Sequence, residues 1–438
     1  MRRPILSLLA VAALFSSLPS SSVLAGDSKA VATSDPKISK ALAKAIDDQT
    51  IYVETAKPGI RLSGYVEASY TNQFASSGEN GLGSTEDGLK GDFTHNDFNI
   101  NAIKLVIEKD LSDDRSAWSV GFRTDIFFGE DALSFAPNDP AVGTSDLYLQ
   151  QVFIKLRIPV GRGLDVSVGK TVGFIGYEAD ERPANMNYSY GLVNVALQNG
   201  NATGIQLGYP LTDHIQLNLN VSNGWDGSDV GPYANGALRN GAVTVCGQVV
   251  FSAPGGNAYI APTFMVCTQG APVLASVGMR ENEPLVFGNL YGQWQPECIP
   301  NKRLTLAFDS VAAFASSGTD DLLATPGAPV DDNTNWWGIA LFSKYQFTSI
   351  FSLAVRAEYI HNDDGAKFLN NSVPGNNAAF AAFPNGSSAD AWSGTLTAGF
   401  DIWENVSTRI EYRYDRGPDD LIGGSDQHQI AVDVSYSF

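Results

Sequence analysis

The chain has 438 residues, with 47 acidic and 28 basic side chains and a net charge of −19. Three cysteines and four histidines are too few for a disulfide scaffold or a Cys/His metal centre, and so acidic a chain is no partner for nucleic acid. The longest apolar run, 5–15, has 11 residues, short of the roughly 20 that a membrane-spanning helix needs.

In chain order the first element is a targeting segment. Arg2 and Arg3 precede the apolar run, and Val23-Leu24-Ala25 supplies small residues before a cut at Gly26. That is the layout of a cleaved signal peptide over 1–25, hence of an exported protein. The mature chain would have 413 residues, 26 basic and 47 acidic, net −21. A periplasmic N-terminal segment, 26–59, follows. Asp35-Pro36 and the spacing of Ile38, Leu42 and Ile46 predict one short helix over 36–48.

From residue 60 the period is two. In 61–71 Leu62, Val66, Ala68 and Tyr70 oppose Arg61, Ser63, Glu67 and Ser69; in 406–416 Ile410, Tyr412 and Tyr414 oppose Arg409, Glu411, Arg413 and Asp415. The same alternation predicts strands at 60–71, 96–109, 116–128, 147–158, 164–172, 202–210, 214–224, 241–252, 257–267, 285–296, 303–315, 335–347, 351–362, 391–402, 406–416 and 428–438. The connections alternate without exception: 24, 6, 18, 5, 29, 3, 16, 4, 17, 6, 19, 3, 28, 3 and 11 residues. Long loops outside and tight periplasmic turns are the pattern of an all-β, antiparallel up-and-down transmembrane β-barrel of about 16 strands over 60–438.

Parity assigns the faces. Apolar side chains turn to lipid, with Tyr70, Phe128, Tyr359, Trp392 and Tyr414 at the loop end and Tyr209, Tyr345, Phe347, Tyr436 and Phe438 at the turn end, as two aromatic girdles. Tyr436 and Phe438 close the chain with the pattern of a membrane-insertion signal. The opposite parity carries Arg61, Glu67, Arg123, Asp125, Lys155, Arg157, Asp165, Arg356, Glu358, Asp401, Arg409, Glu411, Arg413, Asp415 and Asp433, which are read as pore-lining. An arginine on the lipid face near mid-bilayer would cost about 2–4 kcal/mol. These charges either set a field across a water-filled lumen or form salt bridges that stiffen its wall.

The long connections hold 25 acidic and 5 basic residues, almost the whole net charge. They form an acidic vestibule that concentrates cations, or loops kept soluble and bridged by divalent ions to surface lipid. The third, 173–201, is 29 residues long and rich in Phe174, Ile175, Tyr177, Tyr188, Tyr190, Leu192 and Val193. So apolar a connection should fold into the lumen and carry Glu178, Asp180, Glu181 and Arg182 into the path as a pore constriction, the alternative being a lid over the rim. Among the cysteines, Cys246 and Cys267 would lie on two arms of one hairpin, four rungs from opposition, with Cys298 in a turn at the other membrane face; a disulfide, if formed, would join Cys246 to Cys267.

No G-x-S-x-G, H-E-x-x-H or phosphate-binding glycine loop occurs, and His95, His214, His361 and His428 are scattered. The reading is therefore a non-enzyme with no catalytic residue, metal or cofactor: a porin of a Gram-negative outer membrane passing small hydrophilic solutes or ions, with a preference for cations. The alternatives are an adhesin or structural barrel with a blocked lumen and a substrate-selective channel. Partners would be outer-membrane lipid and lipopolysaccharide and the outer-membrane assembly machinery, with association into a homotrimer left open.

Several stretches resemble a known family. They are Phe98-Asn99-Ile100-Asn101 with Glu108-Lys109; Gly169-Lys170, Ile175-Gly176-Tyr177-Glu178 and Asn187-Tyr188-Ser189; Asn223-Gly224-Trp225-Asp226; Arg356-Ala357-Glu358-Tyr359 before Asn362-Asp363-Asp364-Gly365; and Arg409-Ile410-Glu411-Tyr412-Arg413-Tyr414-Asp415. In this order they are similar to the OmpL-like putative β-barrel porins over roughly 60–438. The stretch 246–300 departs from that pattern. The resemblance implies an outer-membrane channel and names no solute.

Overall fold

The alternation of apolar and polar side chains resolves into a closed barrel of sixteen antiparallel strands, each paired with its sequence neighbours and the last with the first. The computed structural model describes residues 59–75, 97–135, 147–198, 201–223, 243–267, 285–316, 333–362, 389–417 and 426–438. The strands are β1 (Ile60–Ala75), β2 (Asp97–Lys109), β3 (Ser119–Phe128), β4 (Leu147–Ile158), β5 (Leu164–Val172), β6 (Asn201–Pro210), β7 (Ile215–Asn223) and β8 (Val243–Ser252). The second half comprises β9 (Ala258–Cys267), β10 (Leu285–Trp294), β11 (Leu304–Ser316), β12 (Asn333–Gln346), β13 (Phe351–Asn362), β14 (Ala389–Trp403), β15 (Val406–Arg416) and β16 (Asp426–Ser437). Closure pairs every strand edge, the condition for crossing hydrocarbon with strands. The signal peptide, the helix over 36–48 and most of the acidic connections lie outside the described residues.

Burial is inverted relative to a soluble protein. Ile154 is 63% and Leu341 53% exposed on the outer wall, while Glu67, Asp125, Arg356 and Arg413 are fully buried on the inner one. Aromatics gather at both rims. Near the loops Tyr359 packs on Trp392 (4.4 Å) and Trp337 (5.0 Å), and Tyr70 on Phe98 (5.0 Å). Near the turns Tyr345 meets Phe347 (4.7 Å), and Phe351 meets Phe400 (5.3 Å).

Two bulges on β2 and β4 modify the alternation beside L3, the connection 173–201, and a third irregularity falls between Phe400 and Trp403 on β14. Glu67 pairs with Ala102 but Ala68 with Ile100, leaving Asn101 extra; Asp125 pairs with Gln151 but Ile126 with Leu149, leaving Gln150 extra. Each bulge therefore turns two successive side chains inward, Asn101 with Ala102 and Gln150 with Gln151.

The cysteine expectation needs correction. Cys246 opposes Met265, and Cys267 opposes Thr244, so the two are offset by two residues instead of four. Diagonal neighbours on paired strands are about 7–8 Å apart, beyond ordinary disulfide reach. None of the three cysteines is in a disulfide: Cys246 and Cys267 are buried and Cys298 is exposed. The stretch that departs from the family pattern nonetheless forms β8, β9 and β10 in regular register.

Candidate functional site

The third long connection, here L3 and described from 173 to 198, folds into the barrel. Its composition explains why. A short helix, α2 (Leu192–Leu197), follows the only other described α-helix, α1 (Glu130–Phe135), in chain order. Leu192, Val193 and Leu197 of α2 are almost fully buried against inward residues of β10–β14, among them Phe287, Trp336, Phe342 and Ile360. Gly338 on β12 provides the notch, because a Cβ there would lie 2.6 Å from Leu197 Cδ1. Burying each such side chain contributes roughly 1.5–3 kcal/mol, enough to draw the loop inward.

The polar part of L3 is tied to the opposite wall. At its start, Tyr177 N donates to Asp309 Oδ2 (2.8 Å) and Tyr177 OH to Gln293 (2.8 Å), while Gln248 donates to Phe174 O (2.8 Å). Residues 187–190 are gripped along their backbone. The amides of Tyr188 and Ser189 donate to Glu411 (2.6 and 3.0 Å), Arg356 donates to Ser189 O (2.5 Å), and Arg413 donates to Tyr190 O (2.6 Å). Arg409 reaches Arg182 O (2.8 Å) and Asn187 O (3.2 Å). Arginine suits this role because its planar fork has five fixed donors.

The four residues expected at a constriction all lie inside the barrel, each with a partner. Glu178 meets Arg356 (2.7 Å) and accepts from Gly191 N (2.7 Å); Asp180 accepts from Gln150 (2.5 Å); Glu181 pairs with Lys104. Arg182 is fully buried, forked onto Asp131 (2.8 and 3.0 Å) and stacked at 4.7 and 4.5 Å over the rings of Tyr188 and Tyr190. These acids are thus docked against the wall and do not hang free in the path.

Burial raises the affinity of Glu178 and Asp180 for protons. Glu178 is pushed up to about 7, with Arg356 opposing and Glu358 adding to the rise; Asp180 is pushed up to about 6 by burial and by Glu181.

The expected pore-lining set divides in two. Towards the turns, Arg61 pairs with Glu108 (2.9 Å), Arg123 with Asp125 (2.7 Å), Lys155 with Asp110 (3.0 Å), and Arg157 with Asp165 (2.6 Å). Asp401 is exposed at the turn end of β14. At the level of L3, Arg356 faces Glu358 (2.9 Å), Arg409 faces Glu67 (2.9 Å) and Asp433 (2.6 Å), and Arg413 faces Asp415 (2.9 Å). In this L3 network, which Lys104 joins to the Arg123–Asp125 pair, six cations (Lys104, Arg123, Arg182, Arg356, Arg409, Arg413) meet eleven carboxylates: Glu67, Asp125, Asp131, Glu178, Asp180, Glu181, Asp309, Glu358, Glu411, Asp415 and Asp433. The set holds five more carboxylates than cations, and with Glu178 pushed up to about 7 and Asp180 to about 6 its negative charge is fullest above neutral pH.

Lys104, Asp131 and Asp309 are members of the site that the strand pattern of the sequence does not mark. For Lys104 the signal was available but interrupted: outward residues fall at Phe98 and Ile100 before the bulge and at Ile103 and Ile107 after it, so Lys104 changes parity with them. Asp131 sits on α1, in a connection where strand periodicity says nothing.

A closed sixteen-strand barrel, apolar outside, charged inside, girdled by aromatics and crossed by an inward loop defines an outer-membrane channel. The family model for putative beta-barrel porin-2, OmpL-like, matches residues 59–438, and the chain belongs to that family. Among solved structures it is similar in fold to Pseudomonas putida OprB (14% identity, TM-score 0.55, covering 87% of this chain and 94% of that one). It is also similar to Salmonella typhi OmpF in complex with daunomycin (13%, 0.51, 87% and 98%) and to the outer-membrane channel DcaP of Acinetobacter baumannii (12%, 0.50, 89% and 100%). No curated protein matches the sequence.

Proposed function

We propose that this channel passes small hydrophilic solutes or ions passively and prefers cations, with L3 as its constriction and without enzymatic activity. The observation that carries the preference is the excess of five carboxylates in the L3 network, deep in the barrel where charges are screened least. The other 21 of the 25 acids of the long connections, most of them outside the described residues, add a second negative region at the mouth. Glu178, Asp180, Glu181 and Arg182 shape the narrow zone, and the paired charges of β1–β5 line the exit below it. Purified protein in a planar bilayer should give steady ohmic current, with a reversal potential displaced towards the cation side in a salt gradient. Absence of current would favour the blocked-lumen alternative, and a displacement of the opposite sign would overturn the preference.

A further inference from the structure

L3 has two unlike ends. Its α2 end is held by apolar packing in the notch at Gly338. Its other arm, 180–190, is held by charge, and the receptor for that arm is built outside L3.

The receptor is α1. Gly129 starts it with a φ of +107°, and a Cβ there would lie 2.7 Å from Ile100 O and 2.8 Å from Asn101 O. The chain after β3 is thereby pressed onto the bulged part of β2. Ala132 then packs, fully buried, with Tyr65, Ala102, Phe127 and Tyr148 on the inner wall. These contacts fix Asp131, fully buried, facing Arg182. Beside it Lys104 bridges Asp125 (3.0 Å), Gln150 (2.8 Å) and Glu181, so the two bulges supply a second anchor.

We propose that Asp131 is a positioning residue: through Arg182 it holds the charged arm of L3 across the lumen and so sets the open cross-section and size limit of the channel. This rests on the reading of the protein as a conducting channel. With Asp131 neutralised, Arg182 keeps a buried charge without its carboxylate. An unpaired buried cation is strongly disfavoured, so residues 180–186 shift off α1 while the backbone of 187–190 stays gripped by Glu411, Arg356 and Arg413 and α2 stays in its notch. Asp131 touches no permeant. It acts by deciding where the loop lies.

The test compares the full-length wild type with Asp131→Asn, Arg182→Gln, the double variant, Asp131→Glu and Arg182→Lys. Each is checked for folding by heat-modifiable gel migration, then measured for single-channel conductance and for liposome swelling with sugars of increasing size. Asp131→Asn and Arg182→Gln should each raise conductance by about two-fold and admit larger sugars, because either removes one partner of the same buried pair. The double variant should exceed neither single one, as residues acting as a unit are not additive. Asp131→Glu should restore most of the wild-type limit, a rescue that general loosening would not produce. Arg182→Lys keeps the charge needed for folding but loses the fork and ring stacking, so it should widen the channel less. Folded variants with unchanged conductance and size limit, beside a conducting wild type, would overturn the latch alone. If neither wild type nor variants conduct, the channel reading falls as well.

Discussion

At the scale of single residues, Glu178 joins structure to a measurable pH response. Its carboxylate lies in the loop, between the Arg356 guanidinium and Gly191 N, with Glu358 paired to the same arginine and also beside Gly191. Burial dominates and raises its proton affinity to about 7; Arg356 counters this, and Glu358 adds to it. The sign follows from linkage. A released loop holds an ordinary glutamate, so the docked loop binds the extra proton between the two pKa values. Docking is therefore most favoured below the ordinary value and loses that contribution as pH rises through about 7, with Asp180 acting in the same direction near 6. If docking narrows the path, conductance should fall on acidification from about pH 8 to pH 5, and Glu178→Gln should flatten the upper part of that titration. A variant titrating like the wild type would assign the response to another group. Which acids enter the barrel was readable from L3's apolar content. Their pairing was not, because the partners Arg356, Lys104 and Gln150 stand on strands far apart in sequence and become neighbours only when the barrel closes.

At the scale of elements, the strands were readable almost residue for residue. β4, β5, β13 and β15 coincide with their predicted bounds, since one wet and one apolar wall impose a period of two. What escaped was whatever breaks that period: the bulges at Asn101 and Gln150, and the helices α1 and α2, whose burial is set by partners across the lumen. The terminal strand shows how an element can matter beyond its own contacts. β16 closes the ring by pairing Val66 with Tyr436 and Ala68 with Val434, and Phe438 exchanges backbone hydrogen bonds with Gly64 at 2.9 and 3.0 Å. Deleting Phe438 removes the last two bonds of the closing seam and the final aromatic of the turn-end girdle. The expected outcome is a reduced outer-membrane yield of heat-modifiable protein. Normal assembly of the truncated chain would confine the insertion signal to Tyr436 and the residues before it.

At the scale of the whole molecule, two negative regions with different screening should act in series. Apart from Asp131, Glu178, Asp180 and Glu181, which belong to the L3 network, 21 of the 25 acids of the long connections make up the vestibule read from the sequence. The L3 network carries its excess of carboxylates inside the wall, among side chains that are largely buried. Salt separates the two, because screening lengths fall from roughly 30 Å at 0.01 M to about 3 Å at 1 M for exposed charges, while buried ones are screened far less. Cation preference should therefore be strongest in dilute salt and retain a residue in concentrated salt. Replacing Glu178, Asp180 and Glu181 by their amides removes three carboxylates from the inner excess and, measured above neutral pH, should reduce the preference at both salt levels. Neutralising Asp320, Asp321, Asp331 and Asp332, which lie outside the described residues, should reduce it only in dilute salt. Reversal potentials across a fixed gradient at two mean concentrations distinguish these outcomes. If the loop amides leave both potentials unchanged, the L3 acids serve only to dock the loop. Selectivity would then have to arise from the vestibule or from the charge pairs of β1–β5 nearer the turns.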